Sequence, residues 1–277
     1  MSRVLEGTAA LITGGGGGFG SATALRLARD GAAVTLMGRT ESLLEEVADR
    51  IAAASPDAPA VRWAVARAVA AAGEGGRLAA CVATVGGGTM APVLGLSAET
   101  VRADFDKNVV SALHLVRHGG AALAELGGGS IVCTSSTAGG MSFPFMGSYS
   151  IAKSALEALV KVAADELGRV GVRVNAVRPG LVPTRAAKPG ALVADPEQRA
   201  RVLREKPLAR VGTAEDVAEA IRYLAGPESS WVTGVVLPVE GGNHLRRAAD
   251  LEQLARDRCG DDVVDSALTG RLPEDQT

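Results

Sequence analysis

Short apolar runs alternate along the chain with longer segments whose apolar residues recur at helical spacing. The runs are rich in β-branched and small apolar residues and are bounded by Gly, Pro or polar residues, which is typical of buried strands. They lie at 7–13, 32–39, 58–65, 78–88, 130–135, 172–180 and 231–242. Helices are predicted at 21–31, 40–55, 66–76, 97–125, 149–168 and 213–226. The segment 97–125 can form one helix or a pair. This alternation predicts an α/β fold with a doubly wound parallel sheet.

Composition and charge narrow the classes of function. A chain of 277 residues with 47% apolar residues can form one large α/β domain with a sizeable core. The net charge of −2, with both signs interspersed, gives no electrostatic footprint for nucleic acid. No apolar run reaches membrane-spanning length, and the first residues do not resemble a signal peptide. We therefore expect no nucleic-acid partner, no membrane partner and a cytoplasmic location.

The cysteines and the lack of an internal linker do not change the predicted fold. Cys81, Cys133 and Cys259 are odd in number, and two of them fall in apolar, strand-like runs, so free thiols in a reducing compartment are expected. No cluster of ligands predicts a metal site. Because no repeat or linker divides the chain, we predict one domain over 1–244 and a polar extension over 245–277. The extension has a helix near 249–258 and either reaches a neighbouring subunit or remains loose.

A glycine-rich turn follows the first predicted strand and precedes an amphipathic helix. It opens with Thr13 and Gly14 and contains five consecutive glycines. Glycine lets the backbone turn sharply and approach a pyrophosphate, whose charge the helix N-terminus stabilises. A merely flexible loop is the alternative, but the position between strand and helix favours dinucleotide binding. The predicted cofactor contacts in this turn are Gly14, Gly17, Gly18, Phe19 and Gly20.

Arg39 closes the second predicted strand. In an NAD site, an acidic residue at this place binds the 2′-hydroxyl of the ribose, whereas an arginine suits the 2′-phosphate of NADP. A solvated surface arginine is the alternative interpretation. We predict NADP(H) as the favoured cofactor, with NAD(H) as the alternative.

Three polar residues surround the start of the helix predicted from 149. Ser136 follows the strand 130–135, twelve residues separate it from Tyr149, and Lys153 comes four residues after Tyr149 on the same helical face. A free tyrosine, with a pKa near ~10, exchanges protons poorly at neutral pH. A neighbouring ammonium group lowers that pKa, and a serine hydroxyl can hold a substrate oxygen. The combination predicts an acid–base site.

Asn108 is a fourth candidate, because asparagine is mildly disfavoured inside a helix and its amide needs partners if it is buried. An exposed asparagine is the alternative. His114 and His118 have the spacing of a metal-binding pair, but without a third ligand we expect solvated or packed histidines and no metal.

Taken in order along the chain, these motifs resemble the short-chain dehydrogenase/reductase family of the classical type, over residues 5 to 243. The matching elements are the glycine-rich turn, Asn108, Ser136, Tyr149 with Lys153, and Arg178-Pro179-Gly180 with Thr184. The resemblance implies a three-layer Rossmann fold with about seven parallel strands, a nicotinamide cofactor and a homodimer or homotetramer.

The resemblance also implies a role for each residue. Tyr149 would be the general acid in ketone reduction or the base in alcohol oxidation, with its pKa lowered by Lys153, which also binds the nicotinamide ribose. Ser136 would hold the carbonyl oxygen, and Asn108 would anchor a water in the proton relay. Further cofactor contacts are implied for Ala83, Gly86, Tyr149, Lys153, Pro179, Gly180, Val182 and Thr184.

Two stretches depart from the family pattern. The family has Asn-Asn-Ala-Gly after its fourth strand, whereas this chain has Ala83-Thr84-Val85-Gly86, so that only backbone contacts remain at Ala83. An aspartate that would touch adenine is missing from 63–69, and this segment is about ten residues shorter than the family spacing.

The substrate is expected to be a small-molecule carbonyl or alcohol, and two segments bear on its nature. Met141, Phe143, Pro144, Phe145 and Met146 suggest a hydrophobic substrate, although they can instead pack against a lid or a second subunit. The lid is expected at 184–208, where Ala191, Leu192 and Val193 would close over the substrate. Lys188, Arg199 and Arg201 could bind an acyl carrier, which keeps 3-oxoacyl thioester reduction as an alternative. A non-catalytic dinucleotide sensor or scaffold is the alternative of another class.

Overall fold

The chain forms a parallel sheet of seven strands, as predicted. The computed structural model describes residues 3–56, 62–65, 77–184, 194–246 and 251–271. The strands are β1 (Thr8–Thr13), β2 (Ala33–Gly38), β3 (Arg62–Val65), β4 (Arg77–Ala83), β5 (Gly129–Thr134), β6 (Val172–Pro179) and β7 (Val236–Val239). Their order is β3-β2-β1-β4-β5-β6-β7, and each neighbouring pair is parallel.

Helices cover both faces of the sheet. They are α1 (Gly18–Arg29), α2 (Glu41–Ala54), α3 (Ala98–Phe105), α4 (Ser111–Glu125), α5 (Gly147–Gly168), α6 (Pro196–Arg204), α7 (Ala214–Ala225), α8 (Glu252–Cys259) and α9 (Asp261–Leu268). One apolar core lies between the sheet and α1, α2 and α7, and a second lies between the sheet and α4 and α5. The three-layer architecture is therefore confirmed. None of the helices described is long and apolar enough to cross a bilayer.

Three predicted elements end earlier or break. The long helix over 97–125 is interrupted by a π-helical turn at Asp106–Val110. The strand predicted over 78–88 ends at Ala83, and the following glycines form a loop. The last strand is limited to β7, since Gly234 has a φ of 73°, which lies outside the strand region. The helix predicted at 66–76 falls outside the described residues.

The sheet grows in two directions from its centre, and this creates a crevice. The chain proceeds outward from β1 to β2 and β3, then returns to place β4 on the other side of β1. Ligands of doubly wound sheets bind at such a switch point, at the carboxyl ends of the strands. The loops after β1 and β4 meet there, and the Thr84 N–H donates to the Thr13 carbonyl at 3.1 Å.

In the C-terminal extension, the described residues 251–271 pack against the rest of the chain, so this part is not a loose tail. Leu251, Ala255 and Val264 are buried, and α9 lies against the turn Val93–Gly95. The Cys259 thiol donates to the Met90 carbonyl at 3.3 Å. The helix predicted near 249–258 corresponds to α8, whereas α9 is an additional element that the sequence analysis did not predict.

Candidate active site

Ser136, Tyr149 and Lys153 come together at the carboxyl end of β5. Tyr149 and Lys153 lie in the first turns of α5, and Ser136 caps the short turn that follows β5. The Ser136 side chain is near enough to Tyr149 to act on it and lower its pKa. The Lys153 Nζ atom lies 5.6 Å from the centre of the Tyr149 ring. The strand-and-helix arrangement that the spacing predicted therefore places all three groups at one location.

Lys153 is buried, and its ammonium group is held by the backbone. Its Nζ atom donates to the carbonyl of Thr134 at 2.7 Å. Burial lowers the pKa of Lys153 to about 8, while Cys133 and the Glu157 carboxylate act to raise it and Lys107 acts to lower it. The charge of Lys153 is consequently sensitive to small changes in its surroundings near neutral pH.

The pKa of Tyr149 is raised, which corrects the direction expected from its lysine neighbour. Burial is the largest cause, and the Ser136 side chain lowers the pKa while the charge of Asp104 raises it. The prediction took account of the ammonium group but not of the free energy needed to remove a phenolate from water. In the surroundings provided by the chain itself, desolvation is the stronger effect.

Asn108 is completely buried in the π-helical turn and holds the loop after β4. Its Nδ2 atom donates to the carbonyls of Gly87 and Asp104 at 2.8 and 2.7 Å. Its Oδ1 atom accepts a hydrogen bond from the Gly87 N–H at 3.2 Å. Asn108 therefore contacts the backbone of the loop that lies beside the other three candidates. Turns of this π-helical kind often mark functional sites. Its predicted role in holding a water remains a prediction.

The loop held by Asn108 is lined by glycines that touch the candidate catalytic groups. A methyl group at Gly86 would lie 2.9 Å from Asn108 Oδ1 and 3.0 Å from Lys153 Nζ. A methyl group at Gly88 would lie 2.6 Å from Tyr149 Cγ. The sequence analysis placed Gly86 in the cofactor site but missed Gly88, although three consecutive glycines after a strand are a readable signal.

Asp104 is a second residue that the sequence analysis missed. Its buried Oδ2 atom accepts hydrogen bonds from the Thr89 N–H at 2.8 Å and from the Ser148 hydroxyl at 2.6 Å. It therefore ties the loop after β4 to the start of α5, immediately before Tyr149. A signal was available, because Asp104 precedes Asn108 by one helical turn and shares its face.

The glycine-rich turn, called the glycine cradle below, brings backbone segments too close together for side chains. Gly14 has a φ of 75°, and a methyl group at Gly20 would lie 2.9 Å from Gly15 Cα. A methyl group at Gly18 would lie 2.7 Å from Thr184 Cγ2, which brings Thr184 to the same turn. The first N–H groups of α1 lack intrahelical acceptors, and its first turn carries no acidic residue. These features fit the phosphates of a dinucleotide.

The remaining predicted cofactor residues described by the structure lie at or just after the carboxyl ends of β2, β4 and β6. Arg39 is exposed at the end of β2 and makes no hydrogen bond or ion pair with the described residues. Ala83 is buried in the core, so only its backbone can reach a ligand. Gly180 donates to the Val239 carbonyl at 3.0 Å, Val182 is buried, and Pro179 ends β6.

Thr84 supplies a connection at the departure from the family motif. Its hydroxyl donates to the carbonyl of Thr13 at 2.7 Å, with the Gly14 carbonyl at 3.3 Å. This side chain links the loop after β4 to the glycine-rich turn, and the sequence analysis did not assign it a role.

The histidine pair shows no sign of a metal site. The rings of His114 and His118 are stacked with their centres 6.4 Å apart. Across the described parts of the chain, no group of three or more His, Cys, Asp or Glu residues is arranged to hold a metal ion.

Comparisons with known proteins point to one family. A family model described as enoyl-(acyl carrier protein) reductase matches residues 15–244. An uncharacterized oxidoreductase of Methylorubrum extorquens is 36% identical over 250 residues, covering 87% of this chain and 99% of the relative. The 7alpha-hydroxysteroid dehydrogenase of Escherichia coli is 33% identical over 245 residues, covering 86% of this chain and 94% of the relative.

A solved structure extends the likeness to the whole fold. The short-chain type dehydrogenase/reductase from Mycobacterium ulcerans superposes with a TM-score of 0.88 at 33% identity, covering 96% of this chain and 99% of its own. The chain therefore has the same fold as this solved structure. The chain belongs to the short-chain dehydrogenase/reductase family, whose members are oxidoreductases that bind NAD(P).

Proposed function

We propose that this chain interconverts a ketone and a secondary alcohol with NADP(H), using Tyr149 as general acid or base on a hydrophobic substrate. The observation that carries the proposal is that Ser136, Tyr149 and Lys153 lie together at the end of β5, with the Lys153 ammonium group 5.6 Å from the centre of the tyrosine ring. A proton donor, a second hydroxyl and a buried cation at one strand end are what a carbonyl group needs during reduction.

The side chains divide the chemistry with the cofactor. A bound nicotinamide supplies the hydride in reduction and accepts it in oxidation. The Ser136 hydroxyl orients the substrate oxygen, and the Tyr149 hydroxyl delivers a proton to that oxygen in reduction or removes one in oxidation. The Lys153 ammonium group stabilises the phenolate that reduction leaves on Tyr149. Asn108 keeps the loop of Gly86–Gly88 against these groups.

An apolar rim beside the site supports a hydrophobic substrate. The Ala91 N–H donates to the Phe145 carbonyl at 2.9 Å, so the segment that contains Phe143 and Phe145 lies beside the loop after β4. Val93, next along that loop, is 72% exposed. Phe145 has a φ of 66°, and such backbone strain in a non-glycine residue is characteristic of ligand-binding segments.

Replacing the Tyr149 hydroxyl tests the reaction directly. We expect Tyr149→Phe to lower kcat for ketone reduction by about 100- to 10,000-fold, the range for losing a general acid or base. The affinity for NADPH and the circular dichroism spectrum should be retained. Tyr223→Phe is the matched control, because Tyr223 is the other of the two tyrosines and is 40% exposed. Full turnover in Tyr149→Phe would refute the role.

Arg39 supports NADP over NAD, since it follows β2 where an acidic residue would serve NAD. We expect Arg39→Ala to weaken NADPH binding by about tenfold, the loss of one charge-assisted contact, with NADH binding little changed. Arg29→Ala, at an exposed position of α1, is the control. Tighter binding of NADH than NADPH by the unaltered protein would refute the preference.

Reduction of a 3-oxoacyl thioester is the second candidate, favoured by the family model named for an acyl-carrier substrate. Arg201 gives it little support, because its guanidinium pairs with Glu197 at 2.8 Å on an exposed helical face. Lys188, another basic candidate, lies outside the described residues. A panel of apolar ketones, alcohols and 3-oxoacyl and enoyl thioesters separates the candidates. Cofactor binding without turnover of any of them would favour a dinucleotide sensor.

A homo-oligomer in the cytoplasm completes the proposal. Leu113 on α4 and Ile151 and Val162 on α5 are exposed apolar residues, which favours association through these helices. Sedimentation at several concentrations would reveal a dimer or tetramer, and a monomer throughout would contradict it. The buried thiols Cys81 and Cys133, whose pKa burial raises to about 12, suit a reducing compartment.

A further inference from the structure

A buried carboxylate that the proposed reaction does not use lies one turn beyond Lys153 on α5. Glu157 is 5% exposed, and both of its oxygens have partners. The Ser135 hydroxyl donates to Oε1 at 2.7 Å. Arg178 donates with Nε to Oε1 at 2.9 Å and with Nη2 to Oε2 at 2.6 Å, which makes a two-pronged ion pair between α5 and β6.

The turn that carries Ser136 rests on this ion pair. A methyl group at Gly139 would lie 2.6 Å from Glu157 Oε1, and one at Gly140 would lie 2.7 Å from Arg178 Nη2. The Gly139 N–H donates to the Ser136 carbonyl at 2.9 Å, so the turn closes directly over Ser136. The position of the Ser136 hydroxyl therefore depends on where Glu157 and Arg178 hold Ser135 and the two glycines.

We propose that Glu157 is a positioning residue of the site, which anchors the turn that bears Ser136 and supplies the negative charge that faces Lys153. The proposal rests on the proposed function for its activity readouts. Glu157 does not touch the reacting atoms, and its two effects reach them through Ser136 and Lys153.

The charges around Lys153 decide the sign of the electrostatic effect. The described groups that act on its pKa are Cys133 on β5, Glu157 on α5 and Lys107 in the π-helical turn, with Tyr149 on the same helical face. Burial lowers the pKa of Lys153 to about 8, and Glu157 opposes this effect by raising it. Without the carboxylate, the ammonium group would lose its proton at lower pH. Ketone reduction needs the charged lysine. As the pH rises, the activity should therefore be lost at a lower pH than in the unaltered protein.

Glu157→Gln separates charge from shape, since it keeps the size of the side chain and one oxygen acceptor. We expect the alkaline limb of kcat/KM for ketone reduction to move down by about one pH unit, with the plateau at low pH retained. Glu166→Gln, an exposed position of the same helix, should leave the limb in place. A purely structural role would lower the plateau without moving the limb.

The charge of Lys153 can also be measured without any substrate. The sequence has five lysines, so ¹³C-lysine labelling gives few NMR signals, and Lys153→Arg assigns the one of interest. Glu157→Gln should lower the titration midpoint of Lys153, whereas Glu166→Gln should not. An unchanged midpoint in Glu157→Gln would overturn the electrostatic half of the proposal, whether or not the protein reduces ketones.

The anchoring half needs a variant that removes both members of the ion pair. Glu157→Leu combined with Arg178→Met leaves no unpaired buried charge, a replacement that proteins often tolerate. We expect the low-pH plateau of kcat/KM to fall by about tenfold and hydrogen exchange at the Gly139 and Gly140 amides to accelerate. Wild-type exchange at both amides would overturn this half. Absence of ketone turnover in the unaltered protein would refute the proposed function but leave both substrate-free measurements valid.

Discussion

The two sides of the crevice are built in opposite ways. On the dinucleotide side, residues 14–20, close approach depends on missing side chains, and a methyl group at Gly20 would meet the backbone of Gly14 and Gly15. On the side of the chemistry, buried polar side chains such as Asn108 and Asp104 hold the loop after β4 through hydrogen bonds. The first side is therefore sensitive to added atoms, and the second to removed ones.

Some residues do not follow this division between the two sides, and they can be used to test it. Gly86 and Gly88 belong to the loop after β4, yet they are packed against Lys153 and Tyr149 as tightly as the glycines of the cradle are packed against one another. Thr84 joins the two sides through its hydroxyl. Four substitutions, from the largest expected effect to the smallest, test where each rule applies.

Gly20→Ala should have the largest effect, on cofactor binding. The added methyl group meets the backbone of Gly14 and Gly15, which cannot rotate away, and overpacking of this kind costs about 1–3 kcal/mol. We expect NADPH affinity, measured by fluorescence titration, to fall by up to about 100-fold. Gly168→Ala is the control, because a methyl group there meets nothing within 4 Å. Equal affinities in the two variants would contradict the cradle.

Gly88→Ala should lower turnover while NADPH binding is retained. Its methyl group overlaps the Tyr149 side chain, and displacement of a reacting group by about 1 Å can cost about 100-fold in rate. Paired measurements of kcat and of NADPH affinity check this expectation. A loss of cofactor affinity with normal kcat would instead assign Gly88 to the dinucleotide side.

Asn108→Ala removes atoms on the side of the chemistry. It deprives the Gly87 N–H and two carbonyls of their partners, and an unsatisfied buried group costs about 1–3 kcal/mol. We expect the free energy of unfolding in urea to fall by about 2 kcal/mol. Faster hydrogen exchange at the Gly87 amide should accompany it. Unchanged stability and exchange would mean that the loop is held by other contacts.

Thr84→Val should have the smallest effect, because it removes one hydrogen bond that links the two sides. We expect a loss of about 1 kcal/mol in the free energy of unfolding and a few-fold weaker NADPH binding. Thr23→Val is the matched control, since the Thr23 hydroxyl is buried and has no hydrogen-bond partner among the described residues. That variant should be neutral or more stable. Equal destabilisation of both would show that the Thr84 bond carries no free energy.

Local patterns predicted the sheet and its layers, but they predicted element ends less well. The helix over 97–125 has unbroken helical spacing, yet it contains a π-helical turn where Asn108 bonds to a loop that lies 21 residues earlier. The strand over 78–88 reads as continuous, yet it stops at Ala83 because the glycines beyond it pack against α5. Both the break in the helix and the early end of the strand depend on contacts between segments that are distant in the chain.

The site shows the same division. The spacing of Ser136, Tyr149 and Lys153 predicted that the three residues lie together, because one strand end and one helix face carry all three. The direction of the Tyr149 pKa was wrong, since the degree of burial depends on segments that pack over the residue. Asp104, Glu157 and Thr84 were assigned no role, as each acts on a partner from another element.

The sequence by itself determined the α/β class, the glycine-rich turn after the first strand and the spacing that brings Ser136, Tyr149 and Lys153 together. These features depend on periodicity and short spacings, which the backbone converts into one face or one turn. Only the tertiary structure decided which groups are desolvated and which buried polar atoms find partners. The reason is physical: the pKa of Lys153 and the position of Ser136 depend on charges and packing from elements that are brought together only by the closed sheet.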